Sequence, residues 1–77
     1  MVERVKRNPS EQNILTALRH FAEPVTPTQI SLATGLSYST VQHGLRVLMA
    51  SGLVRRVGHG KYTLTDKGKE AVQQAVQ

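Results

Sequence analysis

Residues 26–53 read TPTQISLATGLSYSTVQHGLRVLMASGL. Thr26 can cap a helix with its hydroxyl, Pro27 suits the first helical position, where no amide hydrogen is needed, and Gln29 completes a Thr-x-x-Gln capping box. A helix is therefore expected from Pro27 to about Thr34, where Gly35 can take the left-handed conformation that closes it. Leu36 then turns inward and Ser37 caps a second helix, 38–50, with Val41, Leu45 and Leu48 spaced along one face. Those three belong in a core. Tyr38, Ser39, Gln42, His43 and Arg46 are left on the opposite face, with no acidic residue among them, and such a face suits a polyanion. Gly44 lies mid-helix, where it costs about 1 kcal/mol relative to alanine. It marks either close packing or close approach of a ligand backbone.

Working outward, Pro9 and Ser10 introduce an earlier helix whose Ile14, Leu15, Leu18 and Phe21 recur as an apolar stripe, the expected floor of the core. Glu23-Pro24 ends it, and Val25-Thr26 has room for a very short strand. Downstream, Ser51-Gly52 stops the second helix of the opening stretch. Leu53–Val57 has the β-branched content of a strand, Gly58-His59-Gly60 makes a tight turn, and Lys61–Leu64 returns. Thr65 can then cap a last helix with Asp66 in its first turn. Ala71, Val72, Ala75 and Val76 form a small apolar stripe on that helix, either core cover or a dimer seam. The expected organisation is a basic N-terminal arm over residues 1–9 and a single domain over 10–77. Its fold class is α+β and mostly helical, with a three-helix core, a two-stranded hairpin and a C-terminal helix.

The 77 residues carry ten Lys and Arg against five Asp and Glu, a formal net charge of +5. The distribution matters more than the total. Residues 36–65 hold Arg46, Arg55, Arg56 and Lys61 and no acid at all, so +4 of the charge falls on the capped second helix and the hairpin. The remaining +1 is spread over the arm (Arg4, Lys6 and Arg7 against Glu3) and over weakly charged flanking helices. A segregated patch of this kind steers toward phosphate and supplies affinity independent of sequence.

Other function classes fare poorly. The chain has no cysteine, hence no disulfide framework and no thiolate nucleophile or metal site. His20, His43 and His59 are too scattered for a metal centre, and there is neither a catalytic carboxylate pair nor a Gly-rich phosphate loop, so no enzyme, cofactor or metal is expected. No apolar run approaches the roughly 20 residues of a membrane span, and MVERVKRNPS lacks the apolar core of a secretory signal. The expected place is the cytoplasm.

The stretch QISLATGLSYSTVQHGL resembles the helix-turn-helix of bacterial and archaeal transcription regulators, in which a Gly-Leu-Ser turn precedes a Ser-Thr-Val recognition helix. Ser31 departs from the alanine usual at its position. Leu64-Thr65-Asp66-Lys67-Gly68 resembles the junction after the wing in MarR and related families, which makes the whole chain look like a winged helix-turn-helix. The resemblance covers residues 10–70. It implies sequence-specific binding of double-stranded DNA by a small transcription regulator, with helix 38–50 in the major groove and the 53–64 wing on backbone or minor groove. The competing use of such a module is in replication or partition machinery, or in protein–protein contacts.

Under that reading the candidate DNA-binding residues are Thr28, Tyr38, Ser39, Thr40, Gln42, His43, Arg46, Arg55, Arg56, His59 and Lys61. Gln42 can donate to and accept from adenine, Arg46 can fork onto guanine, and Tyr38, Ser39 and Thr40 stand near a helix N-terminus suited to phosphate. Arg46 could instead lay its stem over the edge of the core. Arg55 and Arg56 are neighbours on a strand and point to opposite faces, so only one of them need touch DNA. Tyr62 is expected to pack rather than to contact DNA. Thr26 and Gln29, with Thr28, could offer groups to a phosphate, and the basic arm could reach a groove. One recognition helix per chain implies a homodimer on a palindromic site.

Overall fold

The structure, a computed structural model, describes residues 9–76, with side chains described up to residue 72. Its elements run α1 (Pro9–His20), α2 (Pro27–Thr34), α3 (Tyr38–Ala50), β1 (Val54–Val57), β2 (Lys61–Leu64) and α4 (Asp66–Val76). Of the expected basic arm, 1–9, residues 1–8 lie outside the described part, and Pro9, its last residue, instead opens α1. Among the described residues no helix is long and apolar enough to cross a membrane.

The local signals in the opening stretch act as read. Thr26 Oγ1 accepts from Gln29 N (3.2 Å), and Gln29 Oε1 accepts from Thr26 N (3.0 Å), so both halves of the capping box are closed. Gly35, at φ +79°, ends α2 and donates to Ser31 O (2.8 Å). The turn that follows is held by hydroxyls: Thr34 Oγ1 accepts from Leu36 N (3.2 Å), and Ser31 Oγ donates to Leu36 O (2.6 Å). Ser31 thus contributes a bond that the usual alanine could not make. At the far end of α3, Gly52 N donates to Met49 O and Leu53 N to Leu48 O, both at 3.0 Å. That paired closure, with Gly52 at φ +80°, is a Schellman motif, and it delivers Leu53 against Leu48 inside the core.

The core gathers one stripe from each element. Ile14, Leu15 and Leu18 of α1, Ile30 of α2, Val41, Leu45 and Leu48 of α3, Val54 and Leu64 of the hairpin, and Val72 of α4 are all buried in one cluster. Phe21 and Leu36 pack on its rim. Val72 is therefore core cover and unavailable to a dimer seam, and Ala71 also packs against the cluster. Gly44 is resolved in favour of packing: it is buried, and a Cβ there would stand 2.5 Å from Ile14 Cδ1, so α1 and α3 approach closely because the position has no side chain.

β1 and β2 pair antiparallel, with Val54 opposite Leu64, Arg55 opposite Thr63, Arg56 opposite Tyr62 and Val57 opposite Lys61. Gly58 (φ +63°) and Gly60 (φ +66°) both use the left-handed region to turn the chain in three residues. The short strand before α2 reduces to one antiparallel bridge: Val25 N donates to Tyr62 O (3.0 Å) and Tyr62 N to Val25 O (2.8 Å). That bridge ties the hairpin to the entry of α2. The strand residue Leu53, expected in β1, is buried just ahead of it.

Candidate nucleic-acid interface

α3 presents its polar face in ordered rows. Tyr38, Gln42 and Arg46 recur at four-residue spacing, and Ser39 and His43 run beside them. Ser39, His43 and Arg46 are exposed, Tyr38 is half exposed, and Gln42 is half-buried. The face stands out from the core because Val41, Leu45 and Leu48 anchor its opposite side. Gln42 Nε2 donates to Tyr38 Oη across 2.7 Å, so these two candidates form one hydrogen-bonded unit.

The N-terminus of α3 is rich in hydroxyls already engaged with one another. Ser37 Oγ accepts from Thr40 N (3.2 Å) and donates to Thr40 Oγ1 (2.8 Å), with Ser39 Oγ 3.4 Å away. Thr40 is half-buried and keeps only its own hydroxyl hydrogen to offer, whereas Ser39 is exposed. On α2, Thr28 is exposed, but the side chains of Thr26 and Gln29 are committed to the capping box. That box engages Gln29 through its Oε1 and backbone N and Thr26 through its N and Oγ1.

Arg55, Arg56, His59 and Lys61 are all exposed on the hairpin, with His59 at its tip. The register separates the two arginines. Arg55 shares its face with Thr63 and lines a surface depression with Thr65, Asp66 and Lys69 at the start of α4, so it stands near a carboxylate. Arg56 shares the other face with Tyr62. Tyr62 packs on the core, as the sequence led one to expect. Sequence reasoning missed Leu32, which is 81% exposed on α2. The stripe that buries Ile30 on so short a helix was signal enough to place Leu32 outside.

A three-helix core whose second and third helices are joined by a tight turn, followed by a basic hairpin, defines the winged helix class. The sequence profile of the winged helix-turn-helix family matches residues 10–77, and the chain belongs to that family. No curated protein matches the sequence significantly. Solved structures agree in fold. BpsR of Bordetella bronchiseptica, whose DNA binding is regulated by 6-hydroxynicotinic acid, is 26% identical, with a TM-score of 0.84 over 92% of this chain and 53% of its own. The transcriptional regulator Tm0710 of Thermotoga maritima is 28% identical, with a TM-score of 0.74 over 90% of this chain and 51% of its own. A MarR family protein of Bacillus stearothermophilus, 21% identical, superposes with a TM-score of 0.81 over 94% of this chain and 53% of its own. The chain thus spans about half the length of these regulators.

Proposed function

We propose that the chain binds double-stranded DNA sequence-specifically as a transcription regulator, inserting α3 into the major groove and laying the hairpin on backbone or adjacent minor groove. The observation that carries this reading is the polar face of α3, free of carboxylates, continuing in sequence into an exposed basic hairpin. Residues 36–65 contribute four cations and no anion, so this segment itself offers a polyanion attraction without a repelling carboxylate. Regulators of similar fold, BpsR among them, support the same use. A second copy would supply the second recognition helix of a palindromic site. A protein-docking use would call for a broad apolar patch, and among the described residues Leu32 and Tyr38 are the large hydrophobic side chains that stand exposed.

Duplex binding should fall linearly in log–log form with salt, with a slope of about −0.9 per phosphate neutralised. Titrating a labelled duplex at several salt concentrations measures it. A flat response, or no binding at low salt, refutes the DNA reading.

Within the hairpin, Arg56 is the arginine we assign to phosphate, because Arg55 lines a depression that Asp66 shares. Arg56→Ala should weaken binding to every duplex and reduce the salt slope by about 1, and Arg55→Ala should do markedly less. The reverse ranking would exchange their roles.

A further inference from the structure

The bond from Gln42 Nε2 to Tyr38 Oη joins two side chains one helical turn apart on the face assigned to the major groove. A glutamine on a helix surface ordinarily samples many rotamers, and reading a base requires one of them to be fixed. Here the fixing is done by a neighbour on the same helix, before any ligand arrives. The carboxamide has two N–H bonds. With one given to Tyr38 Oη, a second N–H and Oε1 remain, and a donor beside an acceptor is the complement of N7 and the N6 amino group of adenine.

We propose that Tyr38 is a positioning residue for specificity: its hydroxyl presets the Gln42 carboxamide to read adenine in the major groove. This rests on the DNA-binding reading above. The alternative role for Tyr38 is a contact of its own, since the phenol still has a hydrogen to donate to a phosphate. The two roles differ in what they do to discrimination. A phosphate donor strengthens binding to all duplexes alike, and a positioning residue changes only the preference among them.

The test is a double-mutant cycle on the full chain, using the duplex recovered by selection from a randomised pool and a scrambled duplex of equal length. Tyr38→Phe keeps the ring and removes the hydroxyl at a half-exposed position, and thermal melting verifies that the fold is unchanged. Expected is a loss of about fivefold in the ratio of selected to scrambled affinity, within the range of coupled neighbours, with scrambled binding unchanged. In a Gln42→Ala background the same substitution should have no further effect, because the group it positions is gone. The selected site should carry adenine opposite α3, and that preference should relax in Tyr38→Phe. Equal weakening on both duplexes, full additivity with Gln42→Ala, no effect of Tyr38→Phe, or a selected site without adenine there overturns the proposal. A wild-type chain that binds no duplex at all removes the functional reading instead, and is told apart from these outcomes by the salt titration.

Discussion

Gly68→Ala is expected to destabilise the domain by on the order of 3 kcal/mol, although a helical glycine replaced by alanine ordinarily gains about 1 kcal/mol. The reversal of sign comes from backbone crowding. Gly68 is buried in the first turn of α4, and a Cβ there would run into the carbonyl oxygen of Leu53, far inside van der Waals contact, and would meet Leu64 Cδ2 at 3.0 Å. The obstacle is main chain that cannot rotate away. That same Leu53 carbonyl accepts from Thr65 N (3.0 Å), while Thr65 Oγ1 donates to Gly52 O (2.7 Å) and accepts from Gly68 N (3.0 Å). Pushing α4 off Leu53 therefore breaks the cap of α4 and its attachment to the turn before β1. Each kcal/mol moves the midpoint of a domain this size by roughly 4–8 °C, so thermal melting should show a fall of more than about 10 °C. Gly58→Ala is the control: its φ is +63° and nothing lies within 4 Å, so it loses only the conformational penalty of about 1–2 kcal/mol. A Gly68→Ala protein as stable as wild type would mean that α4 is free to move relative to the hairpin base.

The same glycine shows where the sequence stopped being legible. Leu-Thr-x-x-Gly was recognisable as a pattern, and the cap at Thr65 could be read from its hydroxyl. The reason for glycine three residues later lies in Leu53, fifteen positions upstream, and no local pattern carries that. Features set by nearest neighbours were readable throughout: the Thr26–Gln29 box, the Gly35 stop, the Ser37 cap and the Val41-Leu45-Leu48 stripe each depend on residues within one or two helical turns. Features set by packing were not. Gly44 was ambiguous until Ile14 was found against it, Val72 was ambiguous until it was found in the core, with Ala75 and Val76 outside the described side chains, and Arg55 and Arg56 could not be separated without the register. At the candidate interface the face of α3 was legible from periodicity alone. The coupling of Gln42 to Tyr38 was not, because four-residue spacing permits such a bond without requiring it.

Gln42→Ala and Lys61→Ala should divide the proposed binding energy into its two parts. Gln42 sits mid-row on α3 with a donor and an acceptor still to offer, so its loss should cost about 1–3 kcal/mol at a selected site and little on random duplex. Lys61 is an exposed ammonium beside the hairpin tip, opposite Val57, and a point charge on a flexible stem carries no base information. Its removal should weaken selected and random duplexes by the same factor and reduce the salt slope by about 1. Neither side chain belongs to the buried cluster, so melting temperatures should hold and the affinities can be read directly. Binding isotherms for both variants, on both duplexes and at two salt concentrations, give the comparison. Should Gln42→Ala lose as much on random DNA as on the selected site, α3 would be a phosphate-binding surface. Specificity would then have to come from the shape of the duplex, sensed by the spacing between α3 and the hairpin, which the Val25–Tyr62 bridge and the Thr65 cap hold fixed.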